Sequence, residues 1–451
     1  MATGAITTAS DARTVAFSTI DSATRELVGL AKRIYSEPEV GFTEHRTAAR
    51  IAGELRALGL KVEEGIARTG LKAVYNFDRP GPRVAVICEL DSLRVNSHPG
   101  ADPGTGAAHA CGHHTQAGMM LGVARALTRP EMRGVLSGSV AFIATPAEEF
   151  IDVSDRLAMR QAGQLQFLSG KQEMLRLGTF DDVQMAMMMH TASGDGSPRI
   201  TVGGSSNAHI VHHVRFIGRS SHAGGAPEKG INALQAAMLA LNAMNTQRET
   251  LQEKHVARIH GIITKGGSVV NAVPDEVIYE GRVRAMEPAA LTDVHEKVLR
   301  CYRAGALGVG ADVEITSIPG YLSLVNNPDM QETFSRNAET VVGRDCIRTN
   351  GYDESRGGST DMGDLSTIMP AIHPYTSAAT GTGHGPDYVI ADYDLAVVAP
   401  AKIMAATVID LLANDSVEAK RVLANYTPVM SRAKYLAMQE ERFHTELYRG
   451  R

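Results

Sequence analysis

A basic excess is absent from this sequence: 45 Lys+Arg stand against 50 Asp+Glu, a formal charge of −5 over 451 residues. Binders of nucleic acid or of anionic membranes normally carry surplus positive charge, so neither class of partner is expected. Long apolar runs are missing too. The most apolar stretch, Leu395 to Ala413, is interrupted by Pro400, Lys402 and Asp410, and no segment reads as a bilayer span. The first twenty residues lack the basic start and apolar run of a secretory signal, which makes the cytoplasm the expected compartment. Four cysteines, Cys88, Cys111, Cys301 and Cys346, are too few and too scattered for a disulfide framework. Repeats and low-complexity tracts are absent. What is left is the balance of a folded globular chain, 43% hydrophobic and 21% charged, long enough for two or three domains.

Apolar runs of strand length organise the first half, and each discharges polar residues at its carboxyl end. Val84 to Cys88 runs into Glu89-Leu90-Asp91, Val140 to Ala144 into Thr145-Pro146-Ala147-Glu148-Glu149, and Gln184 to Met189 into His190. A helical pattern from Gln116 to Leu127 lies between the first two, as a parallel crossover requires. In open α/β sheets, ligands bind outside those carboxyl ends. From about Ser205 the rhythm becomes strand, helix, strand, strand, helix, strand, which is the ferredoxin-like order. The expected architecture is an α/β catalytic domain with a mostly parallel sheet, residues 1–204 and 321–451, carrying an inserted α+β lid at 205–320.

Chemistry concentrates in His109-Ala110-Cys111-Gly112-His113-His114, a thiol and three imidazoles within six residues. Thiolate and imidazole suit zinc and several other first-row divalent ions, and Cys-x-His spacing lets both face one ion from a loop. Glu148-Glu149 adds two carboxylates pointing in different directions, one able to coordinate while the other stays free as a base. His190 and His384 alone would be ordinary strand-end and loop histidines, Cys88 an ordinary buried hydrophobe, and Glu-Glu an ordinary acidic helix start.

As an ordered set these pieces resemble the metal-dependent aminoacylase and carboxypeptidase family, in its amidohydrolase branch. That branch includes auxin-conjugate hydrolases, hippurate hydrolases and aminobenzoyl-glutamate hydrolase subunits. The landmarks include Glu37-Pro38-Glu39-Val40-Gly41-Phe42, Glu89-Leu90-Asp91-Ser92-Leu93, the His109 to His113 cluster, Pro146-Ala147-Glu148-Glu149 and Met189-His190. They continue through Ser221-His222-Ala223, Asn271-Ala272-Val273-Pro274, Gly281-Arg282-Val283-Arg284, Ser359-Thr360-Asp361 and Gly383-His384-Gly385.

The resemblance implies two divalent metal ions, zinc or manganese, held by Cys111, His113, Glu149, His190 and His384. It makes Glu148 the general base of a metal-activated water, and Asp91 the residue that orients a metal-binding histidine. It also implies a homodimer formed through the lid, with His222 reaching the partner's site as an oxyanion donor and Asn271 and Arg284 holding substrate oxygens. The expected activity is hydrolysis of the C–N amide of an N-acyl amino acid, dipeptide or aryl-amide conjugate. The alternatives are a hydrolytic deaminase of an aromatic amine and a non-catalytic relative that binds a conjugate. Relatives usually carry Asp or Asn where His114 stands and often His where Gln116 stands, which bears on whether one metal or two are bound. Thr145, with Gly358 to Asp364, leans towards the aminobenzoyl-glutamate and dipeptidase-like group.

Overall fold

The computed structural model describes residues 6–194, 196–355 and 357–450. A six-stranded sheet runs in the order Val62–Ile66, Gly70–Asn76, Ser137–Thr145, Arg79–Glu89, Met185–Met187, Ala371–Ile372. The last four strands are mutually parallel and the first two antiparallel. Ala371–Ile372 comes from the far end of the chain, so this domain is built from discontinuous segments. Alternate residues of the central strands feed opposite faces: Val84, Val86, Val140 and Phe142 pack under helices, while Ala85, Ile87, Ala141 and Ile143 face a second core with Met174, Leu365 and Tyr435. This two-sided burial is why those strands read as unbroken apolar runs.

The helix Ala9–Tyr35 starts at Thr8, whose hydroxyl accepts from the Asp11 amide, and is thus longer than the amphipathic stretch legible from Ser22. Its first turns bury Ala12, Ala16 and Ile20, and small alanines give a weak apolar signal. The segment Asp394–Leu412 is long and apolar enough to cross a bilayer, yet 83% of its most apolar window is buried inside the chain. It packs against the helices Ala9–Tyr35 and His113–Leu127.

The lid sheet is antiparallel throughout, in the order Arg258–Lys265, Glu276–Ala285, Ala208–Ile217, Asp312–Pro319, His444–Arg449. Its first four strands have the ferredoxin-like arrangement, and the helices Ala233–Gln247 and Pro288–Val309 cover one face. The fifth strand corrects the expectation that everything after residue 320 belongs to the catalytic domain. His444–Arg449 pairs along Asp312–Pro319 and caps what would be an open edge. A second difference lies at His190. It ends no long strand; it opens a separate one, His190–Ser193, in a third sheet with Tyr375–Thr380, Ile200–Ser205, Ile347–Ser355 and Val389–Ile390.

Candidate active site

The strands Arg79–Glu89 and Ser137–Thr145 end side by side, Glu89 opposite Thr145, and thereby deliver Asp91 and Glu148-Glu149 to one crevice. The turn between Thr145 and Glu148 is tightly held. Ala147 adopts φ +49°, unusual for a residue with a side chain, and its amide donates to Glu44 Oε1 at 2.8 Å. Thr69 donates to the other Glu44 oxygen at 2.6 Å. Burial, then the charge of Asp91, pushes the Glu44 carboxyl up to about 7.

Cys111 and His113 flank Gly112, which stands at φ +90° immediately before the helix His113–Leu127. A Cβ there would lie 2.0 Å from Thr191 Oγ1 and 2.8 Å from the Tyr388 hydroxyl, so only glycine lets the loop pass. His384 reaches the same place from its own loop, with φ +65° and its amide donating to the Ala110 carbonyl at 2.9 Å.

Two groups of metal-ligating atoms result, each with its atoms within 4.8 Å of one another: Cys111, His113 and His190; and Cys111, Glu149 and His384. All five residues expected as ligands are brought together, and Cys111 belongs to both groups. Its Sγ lies 3.4 Å from His190 Nε2, while His384 Nε2 lies 3.2 Å from Glu149 Oε1. Asp91 touches two members of the cluster: its carbonyl and Oδ1 lie 3.0 and 3.3 Å from His113 Nδ1, and its Oδ2 accepts from the Glu149 amide at 2.9 Å. The donor set fits divalent cations by its softness and geometry, and two of its buried atoms, His113 Nε2 and Glu149 Oε1, make no hydrogen bond that a cation would displace.

The electrostatics follow. Burial raises the Cys111 thiol, but His190, with His113 and His384, outweighs it and takes it down to about 5. Glu149 lifts His384 to about 11. Burial holds the Glu148 carboxyl well above the usual range, reinforced by the charges of Glu89 and Glu149. The Glu148 carbonyl accepts from the Tyr321 hydroxyl, which ties this residue to the chain leaving the lid.

Beneath the site lies a buried charge network that the motifs did not reveal. Lys171 Nζ bridges Glu89 Oε1 at 2.7 Å and Asp361 Oδ1 at 2.5 Å, and all three side chains are fully buried. Glu89 also faces His113 Nε2 at 3.1 Å and groups with His113 and Glu148 as a third potential cation-binding set. Its strand-end position beside Asp91 was the available signal. Gln116 explains its own departure from the family pattern: its amide donates to Glu89 Oε2 and its oxygen accepts from the Glu89 amide, both at 2.9 Å. His114 turns away from Cys111 and packs among Tyr35, His109 and Tyr393.

An open cleft of about 590 Å³ separates the lid strand Glu276–Ala285 from the segment Phe150–Asp155, and a smaller cavity of about 170 Å³ adjoins it, lined by Cys111, Glu148, Glu149, His190 and His384. Arg284 lines both, and donates to Ser359 Oγ at 2.9 Å. Arg282, two residues earlier on the same strand face, also lines both and donates to the Phe150 carbonyl; it was not singled out in the sequence. His222 and Asn271 are not brought to this chain's cleft. They lie exposed and adjacent on the lid, where the Ala223 amide donates to the Asn271 carbonyl at 3.0 Å and His222 Nδ1 accepts from Gly224 and Gly225.

Comparison with known proteins agrees with this picture. The family profile described as peptidase family M20/M25/M40 matches residues 90–408. A Mus musculus protein named Xaa-Arg dipeptidase is 30% identical over 414 residues, covering 87% of each chain. Among solved structures, a Bacillus subtilis protein described as a dinuclear metal binding peptidase superposes with a TM-score of 0.62 at 21% identity, covering 88% of this chain and 100% of that one. The aminobenzoyl-glutamate utilization protein of Klebsiella pneumoniae gives 0.64 at 19% identity, covering 87% and 97%.

Proposed function

The chain belongs to the peptidase family M20/M25/M40 and is a metal-dependent hydrolase acting on C–N bonds, and from that premise we propose that it cleaves the amide of a dipeptide or N-acyl amino acid with Glu148 as general base. The observation that carries the proposal is the division of labour between two adjacent carboxylates. Glu149 sits in a ligand group with Cys111 and His384, whereas Glu148 lies outside both groups that contain Cys111. Cys111, His113, Glu149, His190 and His384 would hold two divalent ions, zinc or manganese, which would supply Lewis acidity towards water and the scissile carbonyl.

The residues of this chain do the rest. Glu148, poised high by burial, takes the proton of the attacking water and returns it to the departing amine nitrogen. Arg284 and Arg282, on one face of the lid strand, hold a substrate carboxylate or carbonyl oxygen. Lid residues Ile262, Val269 and Val270 are exposed apolar side chains and support a lid-to-lid dimer, in which His222 and Asn271 serve the partner's cleft. The similarity to a Xaa-Arg dipeptidase favours dipeptides within the substrate class.

A product screen by mass spectrometry tests this. Protein supplied separately with zinc and manganese is offered dipeptides, N-acyl amino acids, aminobenzoyl-glutamate and aromatic amines, with Glu148→Gln as blank. Metal-dependent release of an amino acid, absent from the blank, is the expected result. Ammonia as product, or full activity in Glu148→Gln with unchanged metal content, would overturn the reaction or the base.

A further inference from the structure

The open cleft and the smaller cavity share Glu149, Phe150, Arg282, Arg284 and His384. The smaller cavity, about 170 Å³, is itself lined by Cys111, Glu149, His190 and His384, so a substrate whose scissile bond lies over the ligand cluster presents one end to it directly. The cleft, about 590 Å³, is larger and more open, so the two spaces differ in what they accept.

His373 lines that cavity. It is 1% exposed, and neither ring nitrogen makes a hydrogen bond within the protein. Its backbone is fixed, the amide donating to Asn326 Oδ1 at 2.8 Å, and its ring packs edge-on against Tyr375 and His190. Neighbouring polar side chains of the cavity are already engaged: Ser359 Oγ accepts from Arg284, Thr360 Oγ1 accepts from the Met362 amide, and the Tyr321 hydroxyl donates to Glu148. A neutral imidazole carries one donor and one acceptor. Burying both without partners is costly unless a ligand completes them.

We propose that His373 is a substrate-binding residue that hydrogen-bonds a hydroxyl or amide on the substrate residue lying over the smaller cavity, so that the enzyme selects a polar residue on that side of the scissile bond. This rests on the amide-hydrolase reading.

The test uses dipeptides matched in shape but not in hydrogen bonding, with Thr or Val first on the amino side and then on the carboxyl side of the bond. At one side only, the holoenzyme should prefer Thr by about tenfold in kcat/KM, the effect of one well-made hydrogen bond. His373→Phe should abolish that preference, and His373→Gln, which keeps a donor and an acceptor, should restore part of it. Metal content and melting temperature of each variant report folding. No preference at either side in the holoenzyme, or equal loss for both substrates in His373→Phe, overturns the assignment. If no dipeptide or N-acyl amino acid is cleaved at all, the hydrolase reading fails separately. Calorimetric binding of free threonine and valine then tests His373 by itself: tighter threonine binding lost in His373→Phe supports it, and equal or undetectable binding overturns it.

Discussion

The Lys171 ammonium lies 2.5 Å from an Asp361 carboxylate oxygen with neither side chain exposed, and the same ammonium also holds Glu89 at 2.7 Å. One cation thus stands between two buried carboxylates next to the candidate base. Breaking a buried pair by removing one partner typically costs about 3–5 kcal/mol, because the remaining charge stays buried. Lys171→Met should therefore destabilise the protein by at least that order, read as a large fall in melting temperature. An unchanged melting temperature would show that Glu89 and Asp361 relax or protonate at little cost.

A pH dependence is built into the lid. His212 Nε2 lies 2.9 Å from His295 Nδ1 with the rings stacked, and His212 is completely buried. Burial, then His295, pushes His212 well below its ordinary 6.5, and burial lowers His295 against the opposing pull of Glu296 and Glu446. A folded-state pKa below the unfolded one means that the unfolded chain binds the extra proton. The contribution of His212 is thus complete above about pH 6.5 and is lost as pH falls from there towards its folded value. One unit below the ordinary value this is roughly 1.4 kcal/mol for one such histidine. His212→Leu should flatten the fall in melting temperature between about pH 6.5 and 5 relative to the parent; a parallel fall would exclude His212 as a contributor.

The cluster could be anticipated because its residues fall in short motifs that carry the family resemblance: Cys111 and His113 are separated by one glycine that the structure shows to be obligatory. The lid order was legible because Glu276–Ala285 alternates half-buried and buried along its whole length. Lys171 and His373 were not, since each depends on partners far along the chain. A lysine after a Ser-Gly pair carries no mark of burial until Glu89 and Asp361 close around it. The third sheet and the last strand were missed for a different reason. His444–Arg449 is short, polar and mostly exposed, and pairing with Asp312–Pro319, not local propensity, makes it a strand.

That last strand is expected to matter for solubility. Arg303 holds Glu446 through two hydrogen bonds of 2.9 and 2.8 Å, and the Arg160 guanidinium stacks 3.8 Å from the Phe443 ring centre, so the segment is pinned to both domains. Deleting the residues after Arg442 strips a partner from Asp312–Pro319 and opens its edge. Light scattering should then show association beyond the size of the full-length protein. A truncated chain that keeps its original size and melting temperature would mean that the edge is protected without the strand.

His222 and Asn271 pose the sharpest question about assembly, because neither lines the cleft of its own chain although Arg284, on the same lid, does. If His222 serves the partner's site, two separately inactive proteins should complement each other. Glu148→Gln supplies an intact His222 but no base, and His222→Ala supplies the base but no histidine. In a mixed dimer, the cleft of the His222→Ala subunit has its own Glu148 and the partner's imidazole, while the other cleft lacks its base. Random pairing makes half of the dimers mixed with one competent cleft in each, so co-expression with two affinity tags should recover about a quarter of the parental activity in the unfractionated pool. Dimers purified through both tags should show about half. If His222 acts within its own chain, or not at all across subunits, neither cleft of the mixed dimer holds both groups, and the doubly tagged fraction stays as inactive as its parents.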